Sequence, residues 1–141
     1  PVERRLIPRP DSLGLGERVH FVGGLDDPER FVAVADLLVL PTRHDPWGIP
    51  LIEAMAAGIP VVTTEFAGAA TVAVEAGAGV VVPARSPRAL SESIGRLLAD
   101  PDERRAMGER AWRAVKPFGL KAHVEAVLAM YERALAAKGR A

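Results

Sequence analysis

Three unbroken apolar stretches constrain this chain more than any other feature: LLVLPT (37–42), IPVVTT (59–64) and GVVVP (79–83). A half-exposed strand alternates apolar and polar residues, whereas a strand that is apolar on both faces must be covered on both. RVHFVGG (18–24), where Val19, Phe21 and Gly23 alternate with His20 and Val22, is predicted as a fourth strand. Helical patterns separate and follow these strands. DDPERFVAVAD (26–36) has Asp27 at a cap position, Pro28 at the first helical position, and Phe31, Val34 and Ala35 on one face. A short apolar helix runs up to Gly58, a C′ glycine. Ser86-Pro87 opens a helix with a Leu90, Ile94, Leu97, Leu98 stripe, and Asp100, Pro101 and Glu103 open another near 101–113. A last helix, from about His123 to Ala137, carries Val124, Val127, Leu128, Tyr131 and Leu135 on one face, and AAKGRA is a fraying tail. The alternation predicts an α/β fold: a Rossmann-like parallel sheet with helices on both faces, in one domain over 1–141. No internal repeat and no low-complexity linker interrupts it.

Composition narrows the chemistry. The 141 residues include 18 Lys and Arg against 18 Asp and Glu, so bulk charge gives no support to nucleic-acid binding. With no cysteine there are no disulfides, thiolate metal sites or cysteine nucleophiles, and three scattered histidines argue against a metal site. No apolar run reaches the roughly 18–20 residues of a membrane span, and no secretory signal is visible. The expectation is a cytoplasmic chain, with peripheral membrane attachment left open. Because it begins at Pro1, the chain is expected to be a piece of a longer polypeptide.

The segment RHDPWGIPLIEAMAAGIPVV (43–62) carries the candidate site. It leaves one predicted strand and enters a helix near Pro50, at the carboxyl edge where open α/β sheets bind ligands. Gly48 and Ile49 would offer unpaired N–H groups at the positive end of the helix dipole, and Gly48 lets a ligand approach the backbone. That combination favours an anion, most naturally a phosphate. Glu53, about one turn in, suits a vicinal diol such as ribose hydroxyls, and Asp45 could accept from other hydroxyls. Each residue also has a plainer reading. Asp45 before Pro46 makes an Asx turn or cap, Glu53 complements the dipole, Trp47 packs, and Arg43 and His44 are solvated.

Together, DPWGIPLIEAMAAG and its flanks resemble the donor-binding, C-terminal half of retaining glycosyltransferases of family 4, which have the GT-B fold. The resemblance covers nearly the whole chain. Its most specific part is the family's Glu-x7-Glu pair around an aromatic-Gly-aliphatic turn, followed by Glu-Ala-Met-Ala-x-Gly. It implies that Glu53 binds ribose, that the amides of the Trp47-Gly48-Ile49 turn hold a diphosphate, and that Asp45, at the first acid's position, contacts the transferred sugar. Asp45 is one methylene shorter than the family's Glu. Gly68 matches a backbone-approach glycine, but Thr71 stands where the family often has Glu. Gly24, in the Gly23-Gly24-Leu25 turn, matches a loop that recognises the base. Asp45 and Glu53 are therefore the catalytic candidates, and Trp47, Gly48, Ile49, Glu53, Gly24 and Gly68 the donor-binding ones.

The resemblance further implies transfer of a hexose-type sugar from a UDP-, GDP- or ADP-linked donor to an acceptor hydroxyl, with no metal or other cofactor. The family's cationic clamp and acceptor-binding domain match nothing here. PVERRL resembles the start of the helix after the family's second strand, and 117–137 resembles a C-terminal helix crossing to the acceptor domain; an ordinary amphipathic core helix is the other reading. In the order 3-2-1-4-5-6, the strands without a counterpart would fall between RVHFVG and LLVLPT. The expectation is that upstream residues or another chain fill that gap, or that the visible strands re-pair. Two other functions stay open: a non-catalytic binding or scaffold module, favoured by Asp45 and Thr71, and a sugar-nucleotide epimerase or phosphorylase of the same architecture.

Overall fold

The computed structural model describes residues 12–138. The PVERRL segment lies outside them. Three strands form one parallel sheet in the order β1 (Leu38–Leu40), β2 (Val61–Thr64), β3 (Gly79–Val82). Around them run α1 (Pro28–Ala33), α2 (Ile49–Ala56), α3 (Ala70–Glu75), α4 (Pro87–Ala99), α5 (Pro101–Ala114) and α6 (Leu120–Lys138). This is the α/β architecture expected, and each apolar run became a strand because both faces are covered. One face of the sheet, with Val61 and Val81, packs on α2 and α3 through Leu51, Ala54, Met55, Ala70 and Ala73. The other, with Val39, Val62, Val80 and Val82, packs on Leu97 of α4 and Met107 of α5. All four β2 residues are buried. The two threonines among them satisfy their hydroxyls across β1: Thr63 Oγ1 donates to Leu40 O at 2.9 Å, and Thr64 Oγ1 to Thr42 O at 2.6 Å.

Helix signals read from the sequence hold for the later helices. Ser86 Oγ accepts from Ala89 N, and Asp100 Oδ1 accepts from Glu103 N at 2.9 Å. Leu98 is the exception in its stripe, half exposed while Leu97 is buried. Gly58 sits just past α2 at φ +75°, where its N–H donates to Met55 O. Asp27 stands at the cap position of α1 without a side-chain cap bond, and its carboxylate pairs with Arg30 instead. Phe31 and Val34, expected on the inner face of α1, are exposed, and Val32 and Ala35 make the core contact. The Gly/Ala-rich segment after β2 holds α3, a helix too short and too poorly capped to be legible beforehand.

The predicted strand at 18–24 is corrected. Gly16–Arg18 is a 3₁₀ turn, and residues 19–23 join no ladder; Val19, Phe21 and Val22 are exposed. A strand is stabilised by a neighbour's hydrogen bonds and side chains, and among the described residues this segment has no neighbouring strand. The visible strands therefore do not re-pair across the expected gap: β1, β2 and β3 are contiguous and 18–24 stays out of the sheet. The core-helix reading of the last helix is also overturned, because α6 buries no residue and Leu120 and Leu135 are 79% and 70% exposed.

Helix α5 closes the amino ends of all three strands. Arg104 donates to Leu97 O (2.7 Å) and Leu98 O (2.8 Å) at the end of α4, and to Asp36 just before β1 (3.4 Å). Gly108 lies against Gly58 before β2, so close that a Cβ on Gly108 would be 2.0 Å from Gly58 O. Arg110 Nε donates to Gly77 O before β3 at 2.6 Å. The carboxyl ends are left to loops.

Candidate donor-binding site

Beyond the carboxyl ends of β1 and β2, two loops continue the pairing that the strands began. Asp45 N donates to Phe66 O (3.0 Å), Gly68 N to Asp45 O (3.1 Å) and Ala69 N to Trp47 O (2.6 Å), with Asp45 and Ala67 forming a parallel bridge. The 45–48 turn is thus bolted to the 66–69 loop by backbone. That accounts for Gly68. A Cβ there would lie 2.2 Å from Pro46 O and 3.0 Å from Trp47 Cα, so the close approach it permits is to this turn.

Gly48 immediately precedes α2 at φ +84°, a left-handed conformation that favours glycine, and it is buried. The helix begins at Ile49, beside the Pro50 start expected. Asp45 Oδ1 accepts from Gly48 N at 2.7 Å and from Trp47 N at 3.2 Å. The Asx-turn reading of Asp45 is therefore realised, and Gly48 N–H is bonded within the protein. Leu51 N donates to Gly48 O at 2.9 Å. Ile49 N–H keeps no partner among the described residues. Trp47 is 42% exposed and rests on Phe118, ring centroids 5.7 Å apart and tilted by 54°, which ties the turn to the chain just before α6. Phe118 was not singled out from the sequence; a contact across 71 positions has no local signature.

Glu53 lies on the exposed side of α2, with Leu51, Ala54 and Met55 buried around it. Its side chain makes no hydrogen bond or ion pair among the described residues. It lies beyond the first turn, where dipole complementarity fades. A groove of about 380 Å³ runs beside the turn, lined by His44, Asp45, Pro46, Glu65, Phe66, Ala67, Gly68 and Thr71. It gathers Asp45, Gly68 and Thr71 but does not include Glu53. Arg43 and His44 are exposed, as expected of solvated loop residues. Thr71 Oγ1 donates to Gly68 O at 3.3 Å, and Glu65 Oε2 accepts from Ala84 N at 2.8 Å. Glu65 and Phe66 were not singled out either. Gly24 sits in an open bend, where a Cβ would meet nothing within 4 Å. Among the described residues, no group of three or more His, Cys, Asp or Glu is arranged to hold a metal ion.

A parallel sheet with helices on both faces, and a glycine turn at a helix mouth beyond the carboxyl end of a strand, places the chain among the open α/β folds. Residues 1–113 match the family model described as glycosyl transferases group 1, and the chain belongs to that family. A relative from Nocardia farcinica, a D-inositol 3-phosphate glycosyltransferase, is 33% identical over 139 residues, covering 92% of this chain and 31% of its own length. The structure of sucrose-phosphate synthase from Thermosynechococcus elongatus superposes with a TM-score of 0.85 at 31% identity, covering 95% of this chain and 34% of that one. Anabaena Alr3699/HepE, solved in complex with UDP, matches with a TM-score of 0.85 at 23% identity over 92% of this chain and 36% of that one, a likeness of fold. The chain spans about a third of each of these proteins. Its architecture is that of the C-terminal half of a GT-B glycosyltransferase.

Proposed function

We propose that this chain is the part of a retaining, family 4 glycosyltransferase that binds the sugar donor, a nucleoside diphosphate sugar. The whole protein would transfer a hexose-type sugar to an acceptor hydroxyl without a metal. The observation that carries the reading is Glu53: an exposed carboxylate without a partner among the described residues, on the helix whose mouth presents Ile49 N–H. A carboxylate accepts two hydroxyl hydrogen bonds and so matches a ribose diol, while the amide and the helix dipole favour the diphosphate. Holding the departing diphosphate stabilises negative charge as it develops, which is the electrostatic share of such a reaction. The N. farcinica relative is itself a glycosyltransferase, in keeping with sugar transfer, and the Anabaena protein of the same fold was solved with UDP bound.

Titration calorimetry of the intact protein with UDP, GDP and ADP tests this. One of the three binds, and Glu53→Ala weakens it about tenfold or more, the loss of a charged hydrogen-bond pair. Binding that survives Glu53→Ala removes the ribose role. These 141 residues alone are expected to show no sugar transfer from a labelled donor. A second reading, a non-catalytic binding module, draws on Asp45, whose carboxylate is engaged by its own turn. Nucleotide binding without turnover by the intact protein would favour it.

A further inference from the structure

The amide that the helix-mouth reading would give to a ligand's diphosphate is already in use. Gly48 N donates to Asp45 Oδ1 at 2.7 Å, and Trp47 N donates to the same oxygen at 3.2 Å. Pro50 has no N–H, and Leu51 N is turned onto Gly48 O. Ile49 N–H is what this mouth retains for a ligand. The short arm of aspartate is the cause. Its carboxylate reaches the N–H groups two and three residues on, an arrangement that one more methylene would displace. The turn itself cannot retreat, because three backbone hydrogen bonds hold residues 45 and 47 to the 66–69 loop.

We infer that Asp45 is a positioning and specificity-determining residue. Through Oδ1 it holds the Trp47-Gly48 turn, and its charge beside the diphosphate seat makes that seat discriminate against ligands in proportion to their negative charge. The inference rests on the donor reading above. An N–H carries one proton and makes one strong hydrogen bond, so carboxylate and phosphate compete for the Gly48 amide. A carboxylate and a phosphate drawn to the same amide also repel, most strongly where water is excluded. A free nucleoside diphosphate carries about one more negative charge than its sugar ester, because its terminal phosphate ionises twice. Asp45 therefore disfavours the spent diphosphate more than the intact donor, which assists product departure after transfer.

The test compares Asp45→Asn, Asp45→Ala and Glu53→Ala in the intact protein. Calorimetry uses UDP, GDP, ADP, UDP-glucose, GDP-mannose, ADP-glucose and inorganic pyrophosphate as probes. Asparagine keeps an acceptor oxygen for the turn and removes the charge, so a merely structural aspartate is fully replaced by it. The expected result is that Asp45→Asn binds the free diphosphate at least threefold more tightly than wild type, with a smaller gain for the sugar nucleotide of the same base. Hydrogen exchange at the Gly48 amide, read by NMR, speeds at least tenfold in Asp45→Ala as its acceptor is lost. Diphosphate binding by Asp45→Asn that equals or falls below wild type overturns the inference, as does Gly48 exchange unchanged in Asp45→Ala. If wild type binds a nucleotide, Glu53→Ala abolishes that binding and Asp45→Asn gains nothing, this inference alone fails. If neither wild type nor any variant binds any probe, the donor reading fails with it.

Discussion

The two ends of the sheet are built on different principles. At the amino ends, one helix, α5, meets all three strand entrances: Arg104 beside Asp36, Gly108 on Gly58, Arg110 on Gly77 O. At the carboxyl ends no helix among the described residues closes the sheet, and the 45–48 turn is held by main-chain bonds to the 66–69 loop, by the Asp45 carboxylate and by Trp47 against Phe118. The first arrangement uses a rigid rod with side-chain reach. The second uses backbone, which fixes position while leaving side chains such as Glu53 exposed. On the proposed donor reading, stability and ligand access fall to opposite ends of the same strands.

Substitutions sharpen this contrast, in falling order of effect. Gly108→Ala forces a Cβ to 2.0 Å from Gly58 O, between α5 and the turn that ends α2. A loss of about 3 kcal/mol is expected, the upper end of overpacking costs, measured by urea denaturation. Gly68→Ala makes a similar clash, 2.2 Å from Pro46 O, but against a loop. About 2 kcal/mol is expected, with nucleotide affinity falling because the 45–48 turn moves. An affinity unchanged in Gly68→Ala would separate the turn from the site. Arg104→Ala removes two bonds to α4 carbonyls and the pair with Asp36 from a side chain only 15% exposed. It should cost about 1.5 kcal/mol, leaving nucleotide titrations unaltered. Phe118→Ala removes the tilted ring beside Trp47. About 1 kcal/mol is expected, with a change in tryptophan emission. If Phe118→Ala weakened nucleotide binding more than Gly68→Ala, the ordering of backbone over side-chain support at the carboxyl end would be wrong.

Several parts of this arrangement were legible in the residues because they depend on near neighbours. Pro87 after Ser86 and Pro101 after Asp100 start helices through contacts three residues apart. Gly58 ends one through a left-handed residue at the adjoining position. The three apolar runs had to be strands covered on both faces, and the central one, β2, is buried throughout. RVHFVGG misled for the same reason in reverse: its alternation is a local signal, and a strand needs a partner that local signal does not supply. At the site, Gly68 was singled out as a donor-binding glycine of close backbone approach, and the close approach the fold makes there is to its own chain. What it approaches, Pro46 and Trp47, lies more than twenty residues away, and no spacing rule names it.

The sequence by itself determined the class of fold, the helix that follows the turn, and the presence of an aspartate short enough to reach its own amides. These follow from periodicity, capping and side-chain length, all read within a few residues. Only the tertiary structure decided that Asp45 turns its carboxylate onto Gly48 and that Trp47 leans on Phe118. It also decided that α6 leaves Leu120, Leu128 and Leu135 exposed. Those outcomes depend on which distant segments arrive beside the turn, and the free energies that choose among them belong to packing between elements and to no single stretch of chain.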